Sequence, residues 1–169
     1  MTPTPQKPVL VAEDEDSDAM ILHLAFERAG LTNPLVRVRD GQEAVDYLAG
    51  KGIYADRLAY PLPVLLLLDL KMPRMTGVEV LTWLGGREEF KYLPAVVLSS
   101  SPDHSDIQRA KTAGAQEYLV KPHNIRELVG LVRALRDRWL STNEQSAISG
   151  GAGLSACRSL DRKPTPRQE

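Results

Sequence analysis

The sequence predicts an α/β fold, a parallel five-stranded sheet covered by helices on both faces. Three observations carry that prediction. Val64-Leu65-Leu66-Leu67-Leu68 is an unbroken aliphatic run closed by Asp69, the pattern of a strand buried on both sides. Short apolar runs of this kind alternate along the chain with segments whose apolar residues recur at helical spacing. Gly, Pro and Asp punctuate the junctions between them. Asp69, at the end of a central strand, stands where open α/β sheets place their ligands, and Met72-Pro73 stop a helix from starting at once.

The elements follow in order. After a proline-bearing lead (residues 1–7), Val9-Leu10-Val11-Ala12 reads as the first strand and ends in Glu13-Asp14. Asp16 or Ser17 can cap a helix running to about Ala29, with Gly30 as its stop. Pro34 to Arg39 alternates, with Val36 and Val38 on one face, and reads as the second strand. Asp40-Gly41 turns into a helix carrying Ala44, Val45 and Leu48, closed by Gly50. Residues 51–62 form a long loop containing Tyr54 and Tyr60 before the Asp69 strand. Gly77 precedes a helix with Val78, Leu81 and Leu84 that weakens at Gly85-Gly86. Pro94 opens the strand Ala95 to Leu98, which ends in Ser99-Ser100-Ser101. Asp103 to Ala113 is a helix stopped by Gly114, and Gln116 to Val120 is a fifth strand ending in Lys121-Pro122. The last helix, Asn124 to about Leu140, places Ile125, Leu128, Val129, Val132 and Leu135 at helical spacing.

Right-handed crossovers and a two-sided sheet favour the flavodoxin-like (βα)5 arrangement, doubly wound, with strand order 2-1-3-4-5. Residues 141–169 lose periodicity and are rich in Gly, Ser, Pro and charge, the composition of a disordered tail. At 169 residues the chain is long enough for one folded domain, over residues 8–140. A formal net charge of -1 and the lack of a basic cluster interleaved with aromatics argue against nucleic acid as a partner. The single cysteine, Cys157, allows neither a disulfide framework nor a metal-thiolate site. No apolar run reaches membrane-span length, so the expected setting is the cytoplasm, with no membrane partner.

In this strand order the chain reverses between strands one and three, so a crevice opens beside Glu13, Asp14 and Asp69. Strand four brings Ser99 to the same rim and strand five brings Lys121. Three crowded acids repel one another, and a divalent cation is the usual remedy; Mg²⁺ suits carboxylate and water ligands. Asp69 can then act as a nucleophile that accepts a phosphoryl group. Mg²⁺ and Lys121 would neutralise the transferring group while Ser99 hydrogen-bonds one of its oxygens. Taken singly, each of these residues is a solvated strand end or a turn residue. Their joint placement gives the reading its force.

Glu13-Asp14, Asp69 with Met72-Pro73 and Gly77, Ser99, and Tyr118 with Lys121-Pro122 together resemble the receiver domain of two-component response regulators. The spacings agree with that family: 99 − 69 = 30 and 121 − 99 = 22. The loop at 51–62 and the stretches around Tyr118 and Trp139 look most like the stand-alone regulators that partner phytochrome-type histidine kinases. The resemblance implies that Glu13, Asp14, Asp69 and the Lys71 backbone carbonyl hold Mg²⁺, and that Asp69 takes phosphate from a sensor histidine kinase. It implies that Ser99 and Tyr118 form a coupled switch pair, and that a cis Lys121-Pro122 bond places Lys121 in the site. Glu13 stands where the family more often has Asp, and Ser99 where it more often has Thr. Lys71 and Ser101 occupy positions that tune dephosphorylation in the family.

The function expected is therefore a single-domain response regulator, a phosphoacceptor rather than a turnover enzyme, that signals by changed protein contacts. The alternative is a pseudo-receiver that works as an adaptor without phosphate, against which intact Glu13, Asp14, Asp69 and Lys121 weigh. A haloacid-dehalogenase type phosphohydrolase would want a second Asp at position 71, and a nucleotide-binding domain would want G-x-G-x-x-G after the first strand; the chain has neither. On the first helix Met20, Ile21, Leu22, Leu24, Ala25 and Phe26 cover more than the stripe a core needs. Met20 and Leu24, beside Pro122 and His123, are thus expected to form the kinase-docking surface. Trp139 and Leu140 are open to two readings, packing on the core edge or a homodimer contact. The downstream protein is not legible.

Overall fold

Successive residues of a strand face opposite ways, and in this chain both faces are apolar, so each strand needs cover on both sides. The computed structural model describes residues 5–141. Most of the tail expected to be disordered, with Cys157, and the first four residues of the lead lie outside that range. Strands β1 (Val9–Ala12), β2 (Leu35–Val38), β3 (Leu65–Leu68), β4 (Ala95–Ser99) and β5 (Glu117–Val120) form one sheet. All are parallel, in the order β2-β1-β3-β4-β5. Helices α1 (Asp16–Arg28), α2 (Gly41–Ala49), α3 (Gly77–Gly85), α4 (His104–Thr112) and α5 (Ile125–Leu135) alternate with them. This is the doubly wound flavodoxin-like arrangement that the sequence predicts.

The two cores follow from the strand alternation. Leu10, Ala12, Leu66, Leu68, Ala95 and Val97 pack with Ala44, Val45 and Leu48 of α2, Val80 and Leu81 of α3, and Ala110 of α4. Val9, Val11, Leu65, Leu67, Val96 and Leu98 pack instead with Leu22, Ala25 and Phe26 of α1 and Leu128, Val129, Val132 and Leu135 of α5. Each fully buried Leu or Val contributes roughly 1.5–3 kcal/mol over an exposed one. β1 and β3 run in step, Ala12 opposite Leu68, so both chains leave the sheet at one level.

Several local expectations change. Neither Asp16 nor Ser17 caps α1. The cap position is Glu15, without a side-chain bond, and the Asp16 carboxylate instead accepts from Arg37 at 2.6 Å and Arg39 at 2.8 Å. Gly77 is the first residue of α3 rather than its predecessor, because Thr76 forms a capping box with Glu79. The loop at 51–62, as expected long and aromatic-bearing, packs against α2. It contains a 3₁₀ turn, Gly52–Ala55, and its Tyr54 and Tyr60 rings pack tilted or edge-on against each other and against Tyr47 of α2, at centroid distances of 5.0–6.1 Å. Arg57 ties it down further by donating to the Tyr47 and Leu48 carbonyls at the end of α2.

At the chain's other end α5 gives way after Leu135 to a wider π turn, Arg136–Leu140. Leu140 is buried in the core, and Trp139 packs beside it and donates its indole N–H to Glu117 at 3.1 Å. Both therefore serve the core edge. The Lys121–Pro122 peptide is trans, against the cis form that the family resemblance implied. An X–Pro bond prefers trans by about 0.5–1 kcal/mol, and Lys121 reaches the site from the trans form.

Candidate functional site

Parallel strands in register deliver their last residues to one rim, and here those residues are acids, a hydroxyl and an ammonium. Glu13 is anchored by its N–H on the Val38 carbonyl at 3.0 Å, and Asp69 by its N–H on the Ala12 carbonyl at 3.1 Å. Carboxylate oxygens of Glu13, Asp14 and Asp69 all lie within 4.8 Å of one another. Lys121 is placed by its own backbone, whose N–H donates to the Ser99 carbonyl at 2.8 Å. Its ammonium donates to Glu13 Oε2 and to Asp18 Oδ2 (3.0 Å) and stands 3.6 Å from Asp69 Oδ2.

Glu13 is 3% exposed, so its carboxylate is expensive to keep charged. Burial raises its pKa above the usual value, and the Asp69 charge pushes the same way; the Lys121 ammonium and the Glu15 N–H pull it back only in part. For Lys121 burial acts downward, but Glu13, Asp69 and Asp18 together outweigh it, so its pKa is raised and it stays charged at any physiological pH. Negative charge is in excess, three clustered carboxylates and Asp18 against one ammonium. A hard divalent cation with oxygen ligands fits that donor set, and Mg²⁺ commonly uses one or two carboxylates in such sites. The Lys71 N–H lies 3.5 Å from Asp69 Oδ1, which keeps the loop bearing the Lys71 carbonyl beside the acids.

Ser99 and Tyr118 meet through a residue between them. Ser99 is 1% exposed, and its Oγ accepts the Ser101 N–H at 3.2 Å. The Tyr118 hydroxyl donates to the Ser101 carbonyl at 2.7 Å, while its half-buried ring packs on the α2–α3–α4 side core. The Ser101 hydroxyl donates to Asp106 at 2.7 Å in the first turn of α4. Hydrogen bonds through Ser101 thus connect Ser99 to Tyr118 and to α4.

Leu24, Pro122 and His123 share a groove with Ile21, Asp18 and Lys121, about 330 Å³ in volume, between α1 and the start of α5. Met20 does not line it, although at 71% exposure it presents an apolar side chain on the same helix. Sequence reasoning missed Asp18 as a second partner of Lys121, and it missed Arg37. Arg37 donates to the Glu13 and Asp14 carbonyls at 2.9 and 3.0 Å and so fixes the acidic turn. A signal existed: Arg37 shares a strand face with Leu35, where an aliphatic residue is the rule.

The geometry agrees with comparisons to known proteins. The profile of the response regulator receiver domain matches residues 9–133. The crystal structure of the response regulator RPA3017, in red light signaling of R. palustris, is 40% identical, spans 80% of this chain and 95% of that one, and has a TM-score of 0.77. The phosphorylated cyanobacterial phytochrome response regulator RcpA is 34% identical over 81% of this chain and 96% of its own, with a TM-score of 0.74. The response regulator Rcp1 of Synechocystis sp. is 30% identical over 82% of this chain and 92% of its own length. A Mn²⁺-bound form of a response regulator Rcp1 aligns with a TM-score of 0.71. The strand order, the acid cluster and the matched profile lead to one conclusion: this chain belongs to the response regulator receiver domain family.

Proposed function

We propose that the protein is a phosphorylation switch in which Asp69 accepts a phosphoryl group from a histidine kinase, with Mg²⁺ held by Glu13, Asp14, Asp69 and the Lys71 carbonyl. The observation that carries this reading is the convergence of Asp69 with the Glu13–Asp14 acids and with the Lys121 ammonium 3.6 Å away. An Asp69 oxygen attacks phosphorus, the P–N bond to the kinase imidazole breaks, and its electron pair returns to the ring. The cation supplies charge neutralisation for the transferring oxygens. Lys121 releases Glu13 and Asp18 in part to pair with the phosphoryl oxygens, and Ser99 turns its hydroxyl to the same group. Ser101 and Tyr118 pass that movement to α4 and β5, where the output is a changed contact surface.

Two features support the assignment of roles. Lys71, not a second acid, stands two residues beyond Asp69, which favours a phosphoacceptor over a turnover phosphohydrolase. The exposed Met20, Ile21 and Leu24 offer the kinase's phosphotransfer helices apolar side chains on α1, and the groove that Ile21 and Leu24 share with Pro122 and His123 reaches Glu13 and Lys121. Likeness to RPA3017 and RcpA makes a phytochrome-type kinase the donor we propose, and the cytoplasm the compartment where they meet.

The test is incubation with acetyl phosphate and Mg²⁺ followed by intact mass analysis. A single hydroxylamine-labile phosphoryl adduct is expected, absent from Asp69→Asn and from metal-free samples. No adduct together with no Mg²⁺ binding would replace this reading with a phosphate-independent adaptor.

A further inference from the structure

The loop that follows Asp69 is tied down at an unusual point. Arg74 has φ of +63°, in the left-handed region that residues with a Cβ rarely adopt, and it is the only non-glycine among the described residues to do so. Its guanidinium lies on Asp40: Nε donates to Oδ2 at 2.8 Å and a terminal nitrogen donates to the same oxygen. Asp40 is 4% exposed, and its other oxygen accepts the Glu43 N–H at 2.8 Å, capping α2. The next residue, Gly41, donates its N–H to the Met75 carbonyl at 3.1 Å. A Cβ on Gly41 would stand 2.2 Å from that carbonyl oxygen, so the loop and the start of α2 are in direct backbone contact.

A buried carboxylate needs a cation or several donors to stay charged, and Arg74 is the only cation bonded to Asp40 among the described residues. Glu43 and Asp46 add to the negative potential around the guanidinium. The ion pair, the Gly41–Met75 bond and the capped helix thus form one fastening. It acts on the six-residue stretch Lys71 to Thr76, which begins two residues beyond Asp69.

We propose that Arg74 is a positioning residue: its ion pair with Asp40 holds residue 74 left-handed, and so sets the loop conformation that a divalent cation at Glu13, Asp14 and Asp69 requires. The inference rests on the phosphoacceptor reading only for the identity of that cation. It predicts a contrast between two substitutions that both remove the guanidinium. Arg74→Ala keeps a Cβ in a left-handed position held only by the Met75 N–H on the Pro73 carbonyl (2.7 Å) and the Gly41–Met75 bond, without the ion pair that offsets its strain, so the loop loosens. Arg74→Gly also deprives Asp40 of its cation but adopts the same backbone without strain, so the Met75–Pro73 and Gly41–Met75 bonds suffice to keep the loop where it was.

The full chain and its variants are titrated with Mg²⁺ by calorimetry, and amide hydrogen exchange is followed at Gly41 and Gly77. Arg74→Ala is expected to weaken Mg²⁺ binding about 10-fold and to speed exchange at Gly41 by a similar factor, as loss of a held left-handed residue implies. Arg74→Gly is expected to stay within about two-fold of the unsubstituted chain in both. Asp40→Asn, which retains an oxygen to cap α2, should resemble Arg74→Ala, and adding Arg74→Gly to it should restore binding. Wild-type affinity and exchange in Arg74→Ala would overturn the proposal. So would equal losses in Ala and Gly, which would make charge the operative feature. If the unsubstituted chain binds Mg²⁺ but takes no phosphoryl group, only the function proposed above falls; if it binds no Mg²⁺, both fall.

Discussion

Gly77 shows how closely the phosphoacceptor is packed at the level of single residues. A Cβ there would meet the Asp69 carbonyl oxygen at 2.3 Å, and that atom belongs to the backbone, which cannot step aside. The Gly77 N–H also bonds the Leu70 carbonyl at 3.0 Å, so the loop closes on itself directly behind Asp69. Gly77→Ala is therefore expected to destabilise the domain by about 1–3 kcal/mol, as overpacking does, and urea denaturation measures it. The same substitution should slow acetyl-phosphate labelling, since it displaces Asp69 itself. Glu13 and Lys121 illustrate the opposite device, in which charges rather than atoms are crowded. Glu13 resists ionisation because it is buried, and its neighbours restore the charge only in part.

Among the elements, α3 has the best-defined start. Thr76 Oγ1 accepts the Glu79 N–H, and the Glu79 carboxylate accepts the Thr76 N–H at 2.7 Å and its hydroxyl at 2.9 Å. Thr76→Ala should cost about 1 kcal/mol, measured as a lower urea midpoint with an unchanged slope. The backbone N–H and then the hydroxyl of Thr76 hold the Glu79 pKa below its ordinary value of 4.5. A carboxylate with a depressed folded-state pKa contributes stability above its unfolded value and loses it as pH falls through the folded one. The stability gap between the parent and Glu79→Gln should thus be widest near neutrality and narrow below about pH 4.5. A gap that stayed constant down to pH 3 would show that ionisation of Glu79 is not what the box relies on. Helix α1 lacks such a cap, and Asp16 instead ties its first turn to Arg37 of β2 and to Arg39 just beyond it.

At the scale of the whole molecule, the site gathers the ends of β1, β3, β4 and β5, so a ligand bound there ties together four of the five strands. Anything that binds the folded state alone stabilises it by mass action, about 2.7 kcal/mol at a hundred-fold excess over Kd, or on the order of 10 °C in Tm for a domain of this size. Saturating Mg²⁺ should raise Tm by that order in the parent chain and much less in Asp14→Asn, as calorimetry checks. An equal rise in both would place the cation elsewhere.

Strand order, core composition and the positions of Glu13, Asp14, Asp69, Ser99 and Lys121 were legible in the linear chain. Each depends on short-range pattern: an aliphatic run such as Val64–Leu68 has one way to be buried, and parallel strands put their last residues at one rim. The partners of those residues were not legible. Asp18 on Lys121, Ser101 between Ser99 and Tyr118, Arg37 on the acidic turn and Arg74 on Asp40 are side-chain contacts across elements, and no periodicity encodes them. The left-handed Arg74 and the missing side-chain cap of α1 contradict local preference for the same reason. There a long-range ion pair outweighs a local propensity, and only the folded chain brings the two charges together.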